Sequence, residues 1–143
     1  MASREAVYEQ FGRAAHQAQM LETDLGTALL ALDALETKSF LNPDSDAYLR
    51  LRTAIDQHTL GRSLKLIRQK LSLDDDADTV LEKSLDTRNF LIHHFFRAYA
   101  VSFFESNGRD SMVTRLLDIE QELTEAHLTA QRIAESLLSS MHS

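Results

Sequence analysis

The stretch from Asp86 to Phe104, which reads DTRNFLIHHFFRAYAVSFF, decides how the rest of the chain must be arranged. Between positions 90 and 104 the strongly polar residues are only His93, His94, Arg97 and Ser102. A helix of this composition is apolar almost all round, so we expect it to be central and buried on more than one side. Its polar groups, an arginine, an asparagine and two adjacent histidines, are the residue types suited to holding a phosphate and moving a proton.

Helical geometry limits how these polar groups can cooperate. At about 100° per residue, Asn89 and His93 lie one turn apart on the same face, whereas Arg88 and His93 are about 140° apart. Arg88 and His93 would therefore meet around a phosphate in a cleft, or converge from two copies of the helix. Arg88 is also in line with apolar residues at spacings of three and four: Leu81, Leu85, Ile92, Phe95 and Tyr99. A charge in such a seam is costly unless it is paired.

The composition excludes several classes of protein. The chain has 143 residues, which predicts a single domain over 1–143, and it contains no cysteine, so disulfides and thiolate metal sites are excluded. No run approaches the ~20 apolar residues needed to cross a bilayer, and the first residues lead into no apolar signal segment. We expect a soluble, unexported protein, compatible with a reducing cytoplasm.

The charge is negative overall but unevenly distributed. A net charge of -7 argues against a general nucleic-acid coat protein. Residues 47–71 nevertheless contain six Lys or Arg residues and one Asp, whereas residues 1–46 and 72–87 each carry an excess of five acids. The basic segment, which includes Arg62 and Lys65, could meet a phosphate backbone or an acidic partner, or form only a solvated helix face.

Two long heptad patterns lie at the ends of the chain. In the first, apolar residues alternate steps of four and three, at Val7, Phe11, Ala14, Ala18, Leu21, Leu25, Ala28, Leu32 and Leu35. The second comprises Met112, Leu116, Ile119, Leu123, Ala126, Ala130, Ile133 and Leu137. Both predict long amphipathic helices. Gly26 in the first would permit a close helix crossing.

Shorter helices are predicted between these two. A turn at Asn42-Pro43 precedes a helix over 47–58, and residues 59–71 form a third helix or a continuation bent near Gly61. An acidic loop over 72–76 suits the positive N-terminus of the next helix. That central helix is predicted from about 76 to 105, ending at Asn107-Gly108, a strong turn signal. Since no segment alternates with period two, the fold class is all-α, an antiparallel bundle of four to five helices.

The run Arg88-Asn89-Phe90-Leu91-Ile92-His93 resembles the R-x4-6-H signature of the HEPN superfamily, the higher eukaryotes and prokaryotes nucleotide-binding domains. An all-α bundle of this size with the motif in a late, central helix is also typical of that family. The resemblance implies a HEPN-like fold and a homodimer in which two motifs face one another across a cleft. It further implies metal-independent endoribonuclease activity, as in toxin or defence proteins, and an antitoxin or regulatory protein as a partner.

The resemblance also implies roles for individual residues. Arg88 would bind the scissile phosphate and stabilise its transition state, and His93 would act as general acid or base while a 2′-hydroxyl attacks phosphorus. Asn89 would orient the imidazole or hydrogen-bond the phosphate. His94 fits the looser spacing, but His93 is preferred because it shares a face with Asn89. Phe95 is a departure, since the toxin branch commonly has tyrosine there. The candidate RNA contacts are Arg62, Lys65 and Arg97.

Alternatives remain open from the sequence. Arg88 could be structural and paired with Asp86 or with an acid on another helix, with His93 hydrogen-bonded in the core. The same cleft could instead belong to a non-catalytic module that binds a nucleotide or a partner protein, which the acidic charge and Phe95 favour. No cofactor or metal is expected: His93 and His94 point about 100° apart, the aspartates at 74–78 lack the spacing of an EF-hand loop, and the chain contains no glycine-rich phosphate loop.

Overall fold

A computed structural model describes residues 1–38 and 45–141 of the chain. This part of the protein contains α-helices and one short 3-10 helix, and it contains no strand, so the all-α prediction is confirmed. The α-helices are α1 (Arg4–Thr37), α2 (Ser45–Asp56), α3 (Leu60–Lys70), α4 (Asp75–His93), α5 (Phe95–Ala98) and α6 (Ser106–Ser140). The 3-10 helix, Ser102–Phe104, lies between α5 and α6. The predicted turn at Asn42-Pro43 lies outside the described residues.

The two long helices, α1 with 34 residues and α6 with 35, form the core. Every residue of the first heptad seam is buried except Phe11 and Leu35, and every residue of the second except Ile133; these three are half-buried. Both heptad predictions are therefore confirmed. Burial of each large apolar side chain in such a seam stabilises the fold by about 1.5–3 kcal/mol.

Successive longer helices along the chain alternate in direction, as the prediction of an antiparallel bundle requires. The first and last of them, α1 and α6, run parallel to each other. The Ala2 backbone N–H donates to Asp110, and Gln10 Nε2 donates to Glu120 at 2.9 Å, so the contacts advance together along both helices. In contrast, α4 runs antiparallel to α1: Arg88 on α4 pairs with Glu22, and Phe95, just after α4, lies against Phe11 with ring centroids 6.2 Å apart. Five alternating passes, α1, α2, α3, α4 and α6, return the last helix to the direction of the first.

Short helices pack on α1 through a close crossing. A Cβ atom on Gly26 would lie 3.3 Å from Ile55 of α2, which confirms the expected close approach at this glycine.

α2 and α3 are separate helices, because Thr59 caps α3 by accepting a hydrogen bond from the Arg62 backbone N–H at 3.2 Å. The alternative of one helix bent near Gly61 is therefore wrong. Asp74 caps α4 in the same way, with 2.7 Å to the Ala77 N–H.

The predicted central helix over 76–105 is wrong in its second half. Helix α4 ends at His93, and the chain continues through α5 and the 3-10 helix. The break brings Phe96 and Phe103 together, with ring centroids 5.9 Å apart, and sets both against Tyr8. In one straight helix these two residues would be about 10 Å apart along the axis. A straight helix therefore could not bring the two rings this close.

The predicted burial of residues 86–104 on more than one side is correct only in part. Leu91 and Phe95 are each 1% exposed, but Ile92 is 42% exposed, Val101 77% and Phe104 69%. We call residues 88–104 the motif corner, because the candidate motif and the break lie within it. Its apolar residues are divided between the core and the surface.

Asn107-Gly108 does not form the predicted turn, since both residues lie in the first turn of α6. A Cβ atom on Gly108 would lie 2.3 Å from the Ser102 carbonyl oxygen and 2.7 Å from its Cα. No side chain fits at that distance from backbone. Gly108 therefore allows α6 and the 3-10 helix to pack in close backbone contact.

Candidate functional site

Arg88 is half-buried on α4 and is paired across the bundle. Its Nε donates to Glu22 Oε1 on α1 at 2.9 Å, and its terminal nitrogen donates to the Asn89 side-chain oxygen at 3.3 Å. The Arg88 side chain is 24% exposed and that of Glu22 is 37% exposed. Pairing with an acid on another helix, one of the alternatives left open by the sequence, is therefore what the structure contains.

The two histidines of the motif lie at the end of α4. His93 is the last residue of the helix and His94 follows it, both are exposed, and their ring centroids are 6.3 Å apart. Neither makes a side-chain hydrogen bond to the described residues. The core hydrogen bond considered for His93 is therefore not formed. Asn89 is also exposed on α4 and is turned toward Arg88 rather than toward His93.

Arg97 and the basic segment are exposed but lie on other elements. Arg97 is on α5, and Arg62 and Lys65 are on the outer side of α3. Neighbouring cations of the basic segment are neutralised: Arg68 binds Asp78 and Glu82, each at 2.6 Å. Three of the six cations of the basic segment, Arg52, Arg68 and Lys70, therefore have acid partners. The other three, Arg50, Arg62 and Lys65, are exposed and have no acid partner among the described residues.

A surface cavity of about 400 Å³ adjoins the Arg88–Glu22 pair, since Glu22 is one of the residues that line it. The cavity lies between α1, α2 and α3. Its polar lining is Gln19, Glu22, Thr23, Thr27, Arg52, Asp56, His58 and Ser63, and its apolar floor includes Gly26, Leu30, Ile55 and Leu60. A second cavity, about 710 Å³, lies near the other end of the bundle between the acidic loop and the last third of α6.

A second long-range polar pair joins α1 to α6. Asp24 and His127 Nδ1 form a short contact, with side chains 16% and 13% exposed. Burial raises the pKa of Asp24, and the hydrogen bond from His127 opposes that shift. The sequence places both residues beside the heptad seams, but nothing in it indicates their pairing.

Glu22 is the functional residue that the sequence analysis missed. It lies 66 residues before Arg88, and an acid on another helix was anticipated without being identified. The only available signal was the seam position of Arg88, which required some partner. Periodicity does not identify partners across a bundle.

The described residues bring Arg88, Asn89 and His93 onto one helix but do not enclose them. No group of three or more His, Asp and Glu residues in the described ranges could hold a metal ion. In residues 1–38 and 45–141 no helix is long and apolar enough to cross a membrane. No protein-family model matches the chain, and neither a curated protein nor a solved structure matches it.

The arrangement offers three chemical capabilities. A guanidinium held by a carboxylate can bind a phosphate oxygen through its remaining N–H groups. An exposed imidazole can accept a proton from a substrate or donate one to it. An exposed isoleucine, Ile92, beside these groups provides apolar area for a second molecule. One chain alone leaves all of these groups open to solvent on one side.

Proposed function

We propose that this protein is a metal-independent endoribonuclease of the HEPN type. The observation that supports this proposal is the state of the motif residues on α4. Glu22 holds Arg88 in place by a hydrogen bond. Asn89 and His93 lie on the same helix, and both are exposed rather than packed in the core. The other Arg88 N–H groups and the His93 ring are therefore open to a substrate.

The proposed reaction is transesterification within RNA. His93 removes the proton of a 2′-hydroxyl, whose oxygen attacks the adjacent phosphorus. The bond from phosphorus to the 5′-oxygen breaks, and that oxygen takes up a proton as it leaves. The products are a 2′,3′-cyclic phosphate and a 5′-hydroxyl. Arg88 stabilises the charge that develops on the phosphate oxygens, and the need for the 2′-hydroxyl confines the reaction to RNA.

A second copy of the chain completes the proposed site. Two imidazoles, one neutral and one protonated, are needed to remove one proton and deliver another, and His93 from each of two copies supplies them. Covering the 42% exposed Ile92 would help to hold the copies together. Light scattering at micromolar concentration should therefore report a dimer, and a monomer at that concentration would contradict the two-motif cleft.

The decisive experiment is cleavage of a mixed RNA pool in EDTA. We expect cleavage by the wild type and its loss in His93→Ala and Arg88→Ala. His16→Ala is the matched control, because His16 is exposed on α1 and lies outside the motif. Activity that survives in the two motif variants would reject both residues as catalytic. A substrate with deoxyribose at every position should remain intact.

A second function, a non-catalytic module that binds a nucleotide or a partner protein, is supported by one observation. The Arg88 Nε is already bound to Glu22, and His93 has no hydrogen bond to the described residues that would orient its ring. RNA or nucleotide binding that is lost in Arg88→Ala, without cleavage by the wild type, would favour this function.

A further inference from the structure

The cavity between α1, α2 and α3 has the size of a small-molecule site. Its volume of about 400 Å³ lies within the ~300–1,000 Å³ typical of such pockets. The floor is apolar, with Ile55 and Leu60 both buried, and the close approach at Gly26 shapes its base. Polar groups line the walls above this floor.

The polar lining includes several hydrogen-bond acceptors, although the Gln19 amide, the Ser63 hydroxyl and the His58 ring can also donate. The Thr23 hydroxyl donates to the Gln19 carbonyl at 2.9 Å, and the Thr27 hydroxyl donates to the Thr23 carbonyl at 3.1 Å. Each hydroxyl has therefore committed its proton and can only accept further bonds. Glu22 and Asp56 add two carboxylates.

The one cationic side chain in the wall is already engaged. Arg52 is within 3.4 Å of the Tyr48 hydroxyl and 3.9 Å of Asp56. The cavity therefore favours a ligand that donates hydrogen bonds and carries positive charge.

One oxygen of the Glu22 carboxylate remains open to a further cation. Its Oε1 accepts from a guanidinium, that of Arg88, at 2.9 Å, whereas its Oε2 makes no hydrogen bond to the described residues. A carboxylate can accept from two guanidinium groups, one at each oxygen. The second oxygen belongs to a side chain that lines the cavity.

We propose that this cavity binds a small guanidinium-bearing molecule. The guanidinium donates to Glu22 and to the Thr23 or Thr27 hydroxyl, and an alkyl chain covers the floor at Ile55 and Leu60. This binding does not depend on the proposed ribonuclease function, because it requires neither RNA nor His93.

The test is isothermal titration calorimetry of the full chain with agmatine, which carries one guanidinium and one amine. Putrescine is the matched ligand, since it has the same charge but no guanidinium. We expect agmatine to bind more tightly than putrescine. Equal affinities, or no heat from agmatine up to about 10 mM, would overturn the proposal.

Three variants locate the binding. Glu22→Gln should weaken agmatine binding by at least about tenfold, the effect of losing a hydrogen bond to a charged group. Thr27→Leu fills the cavity without touching Arg88 and should also abolish binding, so the conclusion does not rest on the Glu22 variant staying folded. Asp118→Asn removes one exposed acid from α6, outside both cavities, and should bind as the wild type does. Binding unchanged in Thr27→Leu would contradict the assignment.

Discussion

The seam between α1 and α6 and the motif corner use similar residues for different purposes. In the seam, long helices bury aliphatic side chains completely, as at Leu21 and Ile119, both 0% exposed. In the motif corner, Ile92 in the last turn of α4 and Val101 between α5 and the 3-10 helix lie at the surface. The seam supplies stability, and the corner keeps polar and apolar groups available for another molecule.

The comparison predicts a large difference for one substitution made in both places. Ile119→Ala should lower the free energy of unfolding by about 2–5 kcal/mol, because it opens a cavity in a fully packed core. Ile92→Ala should cost less than about 1 kcal/mol, because water already reaches that side chain. Urea unfolding of both variants measures the two values. Equal losses would show that the corner is as tightly packed as the seam.

A pair of glycines gives the next largest effect. Gly108→Ala places a methyl group against the Ser102 backbone and should destabilise the protein by about 1–3 kcal/mol. Gly12→Ala on α1 meets no atom within 4 Å and should stabilise it by up to about 1 kcal/mol. Thermal melting should therefore shift in opposite directions, and a shift in the same direction would reject the contact at Gly108.

The ion pair that connects the two regions has a smaller effect. Glu22→Gln should cost about 1 kcal/mol, since the Arg88–Glu22 pair is partly buried. Glu36→Gln removes the more exposed pair with Lys70 on the same helix and should cost less than half as much. If chemical denaturation shows a larger loss of stability for Glu36→Gln than for Glu22→Gln, burial does not strengthen the Arg88–Glu22 pair.

The smallest effect is a pH dependence within the seam. Burial raises the pKa of Asp24, so as pH rises from about 4 the unfolded chain loses this proton before the folded protein does. The wild type should therefore lose stability relative to Asp24→Asn as the pH rises above about 4, the ordinary pKa of aspartate. Paired unfolding curves across this range measure the difference. If the wild type instead gains stability relative to Asp24→Asn as the pH rises, the raised pKa of Asp24 is contradicted.

The seam could be predicted from sequence because its signal is local. Steps of three and four place one apolar face on each long helix, and burial follows that face residue by residue. The break after His93 could not be predicted, because no proline or glycine marks it. The break is accompanied by contacts that Phe96 and Phe103 share with Tyr8, a residue distant in sequence.

The candidate site was predictable in part. Arg88, Asn89 and His93 were assigned to one helix, and they lie on α4. The acid that pairs with Arg88 could only be anticipated, because its position depends on how α1 and α4 pack. The same holds for Asp24 and His127, whose separation in sequence is 103 residues.

The parallel arrangement of α1 and α6 gives the molecule an electrostatic direction. Both helices begin beside the motif corner, where the Arg109 side chain of α6 donates to the carbonyls of Ala2 and Phe103. Each helix dipole places about half a positive elementary charge at that end, and the single opposing terminus, that of α4, cancels only one of them. The acidic loop lies toward the far end, beside the last third of α6. The positive ends of both long helices therefore lie at the motif corner, away from the acidic loop.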